Sequence, residues 1–196
     1  MARPREFDTD EALERAMEVF WRHGYEDASL PDLLEGMGLT RGSLYKAFKD
    51  KKSLFLMILE RYETAYVDGG VTFLSDKSAG DGRTRILGMF GGLVAAVEAG
   101  DHRGCLLCTA ASGSAADDAD IAAAVHRGLA KLQEGLVVAL ADVDGIAPQD
   151  RLRLANTLLA QYIGLRMLAR SRLPLGILEQ SVAGVADLLD GAAALH

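Results

Sequence analysis

Cysteine is nearly absent: two residues in 196, which excludes a disulfide framework and agrees with a reducing compartment. Proline occurs four times, and aromatic residues make up 6% of the chain, with a single tryptophan. Long apolar runs are missing too. The longest, which includes GMFGGLVAAV at 88–97, is stopped by Glu98 and falls far short of the ~20 residues a membrane-spanning helix requires. The first ten residues, MARPREFDTD, carry two arginines with no apolar run after them, so they do not read as a secretory leader. These absences predict a soluble, cytoplasmic chain. Absent as well are a nucleotide-binding glycine loop, a Gly-x-Ser-x-Gly elbow and a His-Glu-x-x-His pair, so no enzyme is expected and no cofactor.

Abundant Ala, Leu and Gly, 49% hydrophobic residues and few strand-like runs point to an all-α fold packed by aliphatic side chains. Asp8 with Glu11 has capping-box spacing, and Leu13, Ala16, Met17 and Phe20 follow at helical spacing until Gly24. Ser29, with Pro31 and Asp32, starts a short helix ended by Gly38. Thr40 caps a third helix over 41–48 and Asp50 a fourth, which Gly69–Gly70 interrupts or ends. Five more helices are expected at about 83–98, 105–113, 118–142, 149–172 and 176–194, giving about nine in all. A short helix, a turn holding glycine and a second helix with polar residues at its start make a helix-turn-helix.

The charge is unevenly placed. The chain has a net charge of −7, yet GLTRGSLYKAFKDKKSLF (38–55) holds Arg41, Lys46, Lys49, Lys51 and Lys52 against Asp50 alone. On a helix, Arg41, Ser43 and Lys46 avoid the side taken by Leu44 and Ala47, so donors project outward while apolar groups pack inward. Arg and Lys donate to guanine, and hydroxyls bond base edges or phosphate. Thr40, Tyr45, Lys51 and Lys52 suit phosphate contacts, Ser29 is a further candidate DNA contact, Gly42 permits close approach, and Arg3 and Arg5 form a candidate arm to the backbone or minor groove. The partner is therefore double-stranded DNA.

FWRHGYEDASLPDLLEGMGLTRGSLYKAFKDKKSLF (20–55) resembles the N-terminal domain of TetR-family bacterial transcriptional regulators in Phe20, Gly24–Tyr25, Ser29, Gly38, Thr40, Gly42, Leu44–Tyr45, Phe48, Lys51 and Leu54–Phe55. Leu34 departs from that pattern, which usually has Ala there. The resemblance implies a two-part, all-helical homodimer, with a DNA-binding domain over 1–50 and a ligand-binding and dimerisation domain over 51–196. It implies a repressor released from a palindromic operator by a small-molecule or stress effector. It also places Thr40, Tyr45 and Lys51 at phosphate-contacting positions and Arg41, Ser43 and Lys46 at base-facing ones.

Residues 56–196 are acidic and large. The helix at 149–172 is apolar on two sides, and Leu154, Leu158, Leu165 and Leu168 with Leu178, Val182, Val185 and Leu189 of the last helix are expected to form a dimer interface. Tyr66, Phe73, Met89, Phe90, Tyr162 and Arg166, with Cys105 and Cys108, are candidate effector contacts. HRGCLLCTA (102–110) places Cys105 and Cys108 three apart on one helix face, with Cys105 near a helix N-terminus beside His102 and Arg103. It reads as an inert buried pair, as a redox or electrophile sensor, or, weakly, as a metal site. A helical thiol-redox protein using this pair is the alternative to a DNA-binding regulator.

Overall fold

The computed structural model describes residues 7–194. Arg3 and Arg5 lie outside them. The described chain is helical with no strand: α1 (Thr9–Asp27), α2 (Leu30–Met37), α3 (Arg41–Phe48), α4 (Lys51–Tyr62), α5 (Asp68–Ser75), α6 (Gly82–Glu98), α7 (Leu106–Ser112), α8 (Ala119–Leu140), α9 (Pro148–Arg170) and α10 (Leu175–Ala193).

Local chemistry sets most boundaries. Asp8 accepts from the backbone N–H groups of Asp10 and Glu11 at the start of α1. Gly24, at φ +83°, breaks the helical run, so α1 turns rather than continues. Ser29 and Asp32 form a complete capping box on α2, which Gly38 closes in the left-handed region. Thr40 caps α3 and Asp50 caps α4.

Gly69 and Gly70 neither end nor interrupt the helix. α4 runs on through one wide π-turn at Glu63–Val67 into α5, which ends at Ser75. The close approach of α5 to α8 rests on Gly135 of α8, where a Cβ would stand 3.1 Å from Leu74 Cδ1, whereas a Cβ on Gly70 would make only ordinary contact with Leu132 at 3.7 Å and one on Gly69 would meet nothing within 4 Å. Packing along this contact offsets the roughly 1 kcal/mol each helical glycine costs.

Two apolar clusters organise the chain. The first joins α1–α4 to α7 and the first half of α8, with Phe20, Trp21, Leu33, Leu44, Phe55, Leu106 and Ile121 buried in it. The second gathers α6, the end of α8, α9 and α10. Leu154, Leu158, Leu165, Leu178, Val185 and Leu189 are buried there within one chain, and Leu168 and Val182 pack against them. Six of the eight side chains expected at the dimer interface are thus buried within one chain, while Leu168 and Val182 stay partly exposed. The two stripes of α9 are adjacent and merge into one broad inward face, which α6, α8 and α10 of the same chain cover. Left exposed are Leu152, Met167 and Ile177, with Ala160, Gly164, Ala183 and Gly184. No helix among the described residues is long and apolar enough to cross a membrane.

Candidate nucleic-acid interface and thiol site

Helix α3 is held by Leu44 and Phe48, both buried against α1, α2 and α4. Anchoring this side turns Arg41, Gly42, Tyr45 and Lys46 outward, and Tyr45 keeps 43% of its surface exposed. Arg41 lies 5.8 Å over the Tyr45 ring, and neither it nor Lys46 has an ion-pair partner among the described residues. The hydroxyls of Thr40 and Ser43 meet at 3.0 Å, while Thr40 Oγ1 accepts the Ser43 N–H. These two groups hold the helix start as well as facing solvent.

Three other residues of the expected contact set are turned onto the protein. The Ser29 hydroxyl donates to Asp32 at 2.5 Å inside the capping box. Lys51 Nζ donates to the Glu26 carbonyl at 3.2 Å and lies 4.8 Å from the Tyr25 ring centroid, where burial pushes its pKa down. Lys52 Nζ sits 2.7 Å from both Asp118 and Asp120, and these carboxylates raise its pKa. The free donor surface is thus narrower than the basic segment, and centres on α3.

Lys52 is half of a latch between this domain and the segment leading into α8. The other half is Glu26, at the end of α1, which accepts from Ser114 Oγ at 2.8 Å and from the Ala115 N–H at 2.5 Å. Burial alone would raise the Glu26 pKa, but these hydrogen bonds outweigh it and hold the carboxyl below its usual range. Neither partner is legible from Glu26 itself, because 88 positions separate it from Ser114.

The eight expected effector residues divide. Phe73 is exposed and its ring lies over Gly88, Met89 sits in the second core, and Tyr66 packs against Trp21 and Tyr62. Surface clefts of about 470–690 Å³ lie elsewhere, lined by other residues. Four of the eight do converge. Cys105 caps the N-terminus of α7, and Cys108 lies in its first turn. Arg166 donates to the Tyr162 hydroxyl at 2.7 Å and to the Gly104 carbonyl at 3.3 Å. A fifth member, Tyr62, was not foreseen from the sequence. Its buried hydroxyl donates to Cys105 Sγ at 3.6 Å.

This setting separates two chemically identical thiols. The Cys108 thiol, donating to Cys105, is the main cause that brings the Cys105 pKa down to about 6, against the effect of burial. The Cys108 backbone N–H, the Tyr62 hydroxyl and the Arg166 charge act in the same direction. Cys108, as donor to its neighbour and buried beside it, is pushed up. The cation that faces Cys105 is therefore Arg166 and not Arg103, which is taken up by Asp101 and Glu18 and stacks 4.1 Å over Trp21. His102 Nδ1 meets the Ala169 carbonyl at 3.3 Å. Among the described residues no group of three His, Cys, Asp or Glu side chains could hold a metal ion.

Gly104 makes this convergence possible. Its φ is +76°, and a Cβ there would stand 3.0 Å from the Arg166 carbonyl oxygen and 3.2 Å from Arg170 Cβ. Gly104→Ala is expected to cost about 1–3 kcal/mol through the left-handed backbone and this contact. Urea unfolding checks it, and an unchanged midpoint would show that the loop adapts freely.

The geometry defines a helix-turn-helix protein with an exposed, donor-bearing second helix. The family model for bacterial regulatory proteins of the tetR family matches residues 12–58. Over 60 residues the chain is 50% identical to the HTH-type transcriptional repressor ComR of Escherichia coli K12, a match that spans 31% of this chain and 29% of ComR. The similarity to such curated relatives thus covers under a third of their length. Over the whole fold, the chain is similar to a cysteine mutant of the TetR family transcriptional regulator CifR solved with 26-bp double-strand operator DNA. That match has 33% identity and a TM-score of 0.80, covering 94% of this chain and 98% of that one. The reduced form of Escherichia coli NemR, 23% identical, shares the fold with a TM-score of 0.77 over 90% of this chain and 93% of that one. The chain belongs to the TetR family of transcriptional regulators.

Proposed function

We propose that this protein is a transcriptional repressor that binds a palindromic operator as a homodimer in the cytoplasm and is released by an effector acting on its C-terminal domain. The observation that carries the reading is the outward face of α3, where Arg41, Gly42, Tyr45 and Lys46 stand clear of the core that Leu44 and Phe48 enter. A helix of eight residues with donors on one side suits the major groove. CifR, similar over its whole length, was solved on operator DNA. The homodimer would use the outer faces of α9 and α10, where small residues at 160, 164, 183 and 184 and the exposed Met167 and Ile177 allow close approach of a second copy. Two recognition helices would then read half-sites about 34–36 Å apart. A thiol oxidoreductase is the weaker reading, because Cys105 and Cys108 are only 6% and 7% exposed and offer no face to a protein disulfide.

Selection from a pool of duplexes with randomised centres, followed by fluorescence anisotropy on the enriched sequence, tests this. Affinity should fall steeply with salt. Tyr45→Ala and Lys46→Ala should each weaken binding by roughly tenfold, equivalent to about 1.4 kcal/mol. Lys52→Ala should weaken it less, since that ammonium is already paired. Failure of any sequence to enrich, with the protein folded, would sink the reading.

A further inference from the structure

The thiol pair and the latch lie at opposite ends of one short element. Helix α7 starts directly after Cys105 and, after seven residues spanning about 10 Å, runs into the 113–118 segment that grips Glu26 and Lys52. Its first turn is tied to α4 through Tyr62 and to α9 through Gly104 and Arg166. The DNA-binding helices are thus clamped by a segment whose other end carries two reduced cysteines.

We propose that Cys105 and Cys108 form a peroxide-reactive dithiol whose conversion to a disulfide loosens the hold of residues 113–118 on the DNA-binding domain. The proposal rests on the repressor reading above and supplies its effector class: a small oxidant in place of a bound organic ligand. Size decides the class. With both sulfurs almost fully buried, a water-sized peroxide reaches them and a bulky alkylating agent does not. The electronic setting agrees, since hydrogen bonds from Cys108 and Tyr62 and the charge of Arg166 favour the thiolate at Cys105, while burial beside it favours the protonated thiol at Cys108.

The chemistry balances in two steps. The Cys105 thiolate attacks one oxygen of hydrogen peroxide. The O–O bond breaks, hydroxide leaves and is protonated to water, and the sulfur is oxidised by two electrons to the sulfenic acid. The Cys108 sulfur then attacks Cys105, its proton leaves with the departing hydroxide as a second water, and the S–S bond forms. Residues three apart in a first helical turn have Cα atoms roughly 5 Å apart, within the range a disulfide spans. The sulfurs must close to about 2.05 Å, which draws Cys105 from Tyr62 and removes the negative charge facing Arg166. A half-buried cation that loses its counter-charge favours rearrangement of its surroundings. The element it abuts is the start of α7, so the reduced and oxidised states favour different placements of the latch.

The test is peroxide titration of the full-length protein, read by intact mass, by hydrogen exchange and by anisotropy on the selected duplex. Oxidation should lower the mass by two hydrogens, speed exchange over 113–118, and weaken DNA binding by roughly tenfold. Dithiothreitol should reverse all three. Cys105→Ser should not react, and Cys108→Ser should stop at a sulfenic acid, read as a gain of one oxygen in the intact mass. In Glu26→Ala the disulfide should still form while the ratio of reduced to oxidised affinity shrinks. An unchanged mass in excess peroxide, or a disulfide that alters neither exchange nor affinity, would overturn the proposal. If the reduced protein binds no duplex, the repressor reading fails instead, and mass and exchange still judge the dithiol.

Discussion

Replacing Arg85 with alanine is expected to cost about 3–5 kcal/mol of folding stability, the range for emptying the site of a large buried side chain. Arg85 has no exposed surface at all, although it is an arginine. From α6 its guanidinium donates to the Leu74 carbonyl, to Asp142 Oδ2 at 2.5 Å and, through Nε, to the Asp81 carbonyl at 3.3 Å. It therefore ties the end of α5 and the start of α6 to the turn after α8. Alanine would leave a cavity and a buried carbonyl with no donor. Lysine should not rescue it, because a single ammonium cannot reproduce the planar fork. The exposed Lys77, which also bonds Asp142, is the control, and its loss should cost under about 1 kcal/mol. Lys77 and Arg85 hold the Asp142 carboxyl below its usual range. That contribution is present above the ordinary aspartate value and is lost as pH falls through the lowered one, so the acid side of the stability profile should flatten in the variant. Urea unfolding across pH reads both effects. A loss of under 1 kcal/mol for Arg85→Ala would show that the network contributes nothing net.

A single methyl group at Gly82 should cost about 3 kcal/mol, at the upper end of overpacking effects. The first turn of α6 crosses α8 so closely that a Cβ on Gly82 would stand 1.9 Å from the Ala139 carbonyl oxygen and 2.9 Å from Val143 Cγ2. The nearest obstacle is backbone, which cannot rotate aside, so the two helices must separate. Gly42→Ala is the contrast. Nothing lies within 4 Å of its Cβ position, so the same change in α3 should stabilise the helix by up to about 1 kcal/mol. Thermal or urea unfolding of the two variants separates a glycine needed for contact from one that is not. Equal stabilities would mean that α6 and α8 part without cost.

Both effects depend on contacts between residues far apart in the chain, and there the sequence is least legible. The starts of α1 to α4 and the end of α2 could be read almost to the residue, because Asp8, Ser29, Thr40 and Asp50 cap by reaching two or three positions ahead and Gly38 turns by its own φ. The sides of α3 were legible for the same reason: helical periodicity alone parts Leu44 and Ala47 from Arg41, Ser43 and Lys46, of which Arg41 and Lys46 are exposed and Ser43 is half-buried. Misreadings came where the partner is remote. Gly69 and Gly70 look like a break by propensity, yet the helix runs through them to Ser75, and most of the apolar surface of α9 is covered by other helices of the same chain.

Sequence by itself determined the helices, the helix-turn-helix and the side of α3 that faces outward, because caps, turns and periodicity act within four or five residues. Only the tertiary structure decided that Lys51 and Lys52 are spent on the protein, that Arg166 and Tyr62 stand over Cys105, and that Glu26 is gripped by residues 114 and 115. Hydrogen bonds and charges at close range depend on which distant segments meet, and folding brings those segments together only through the packing of whole helices.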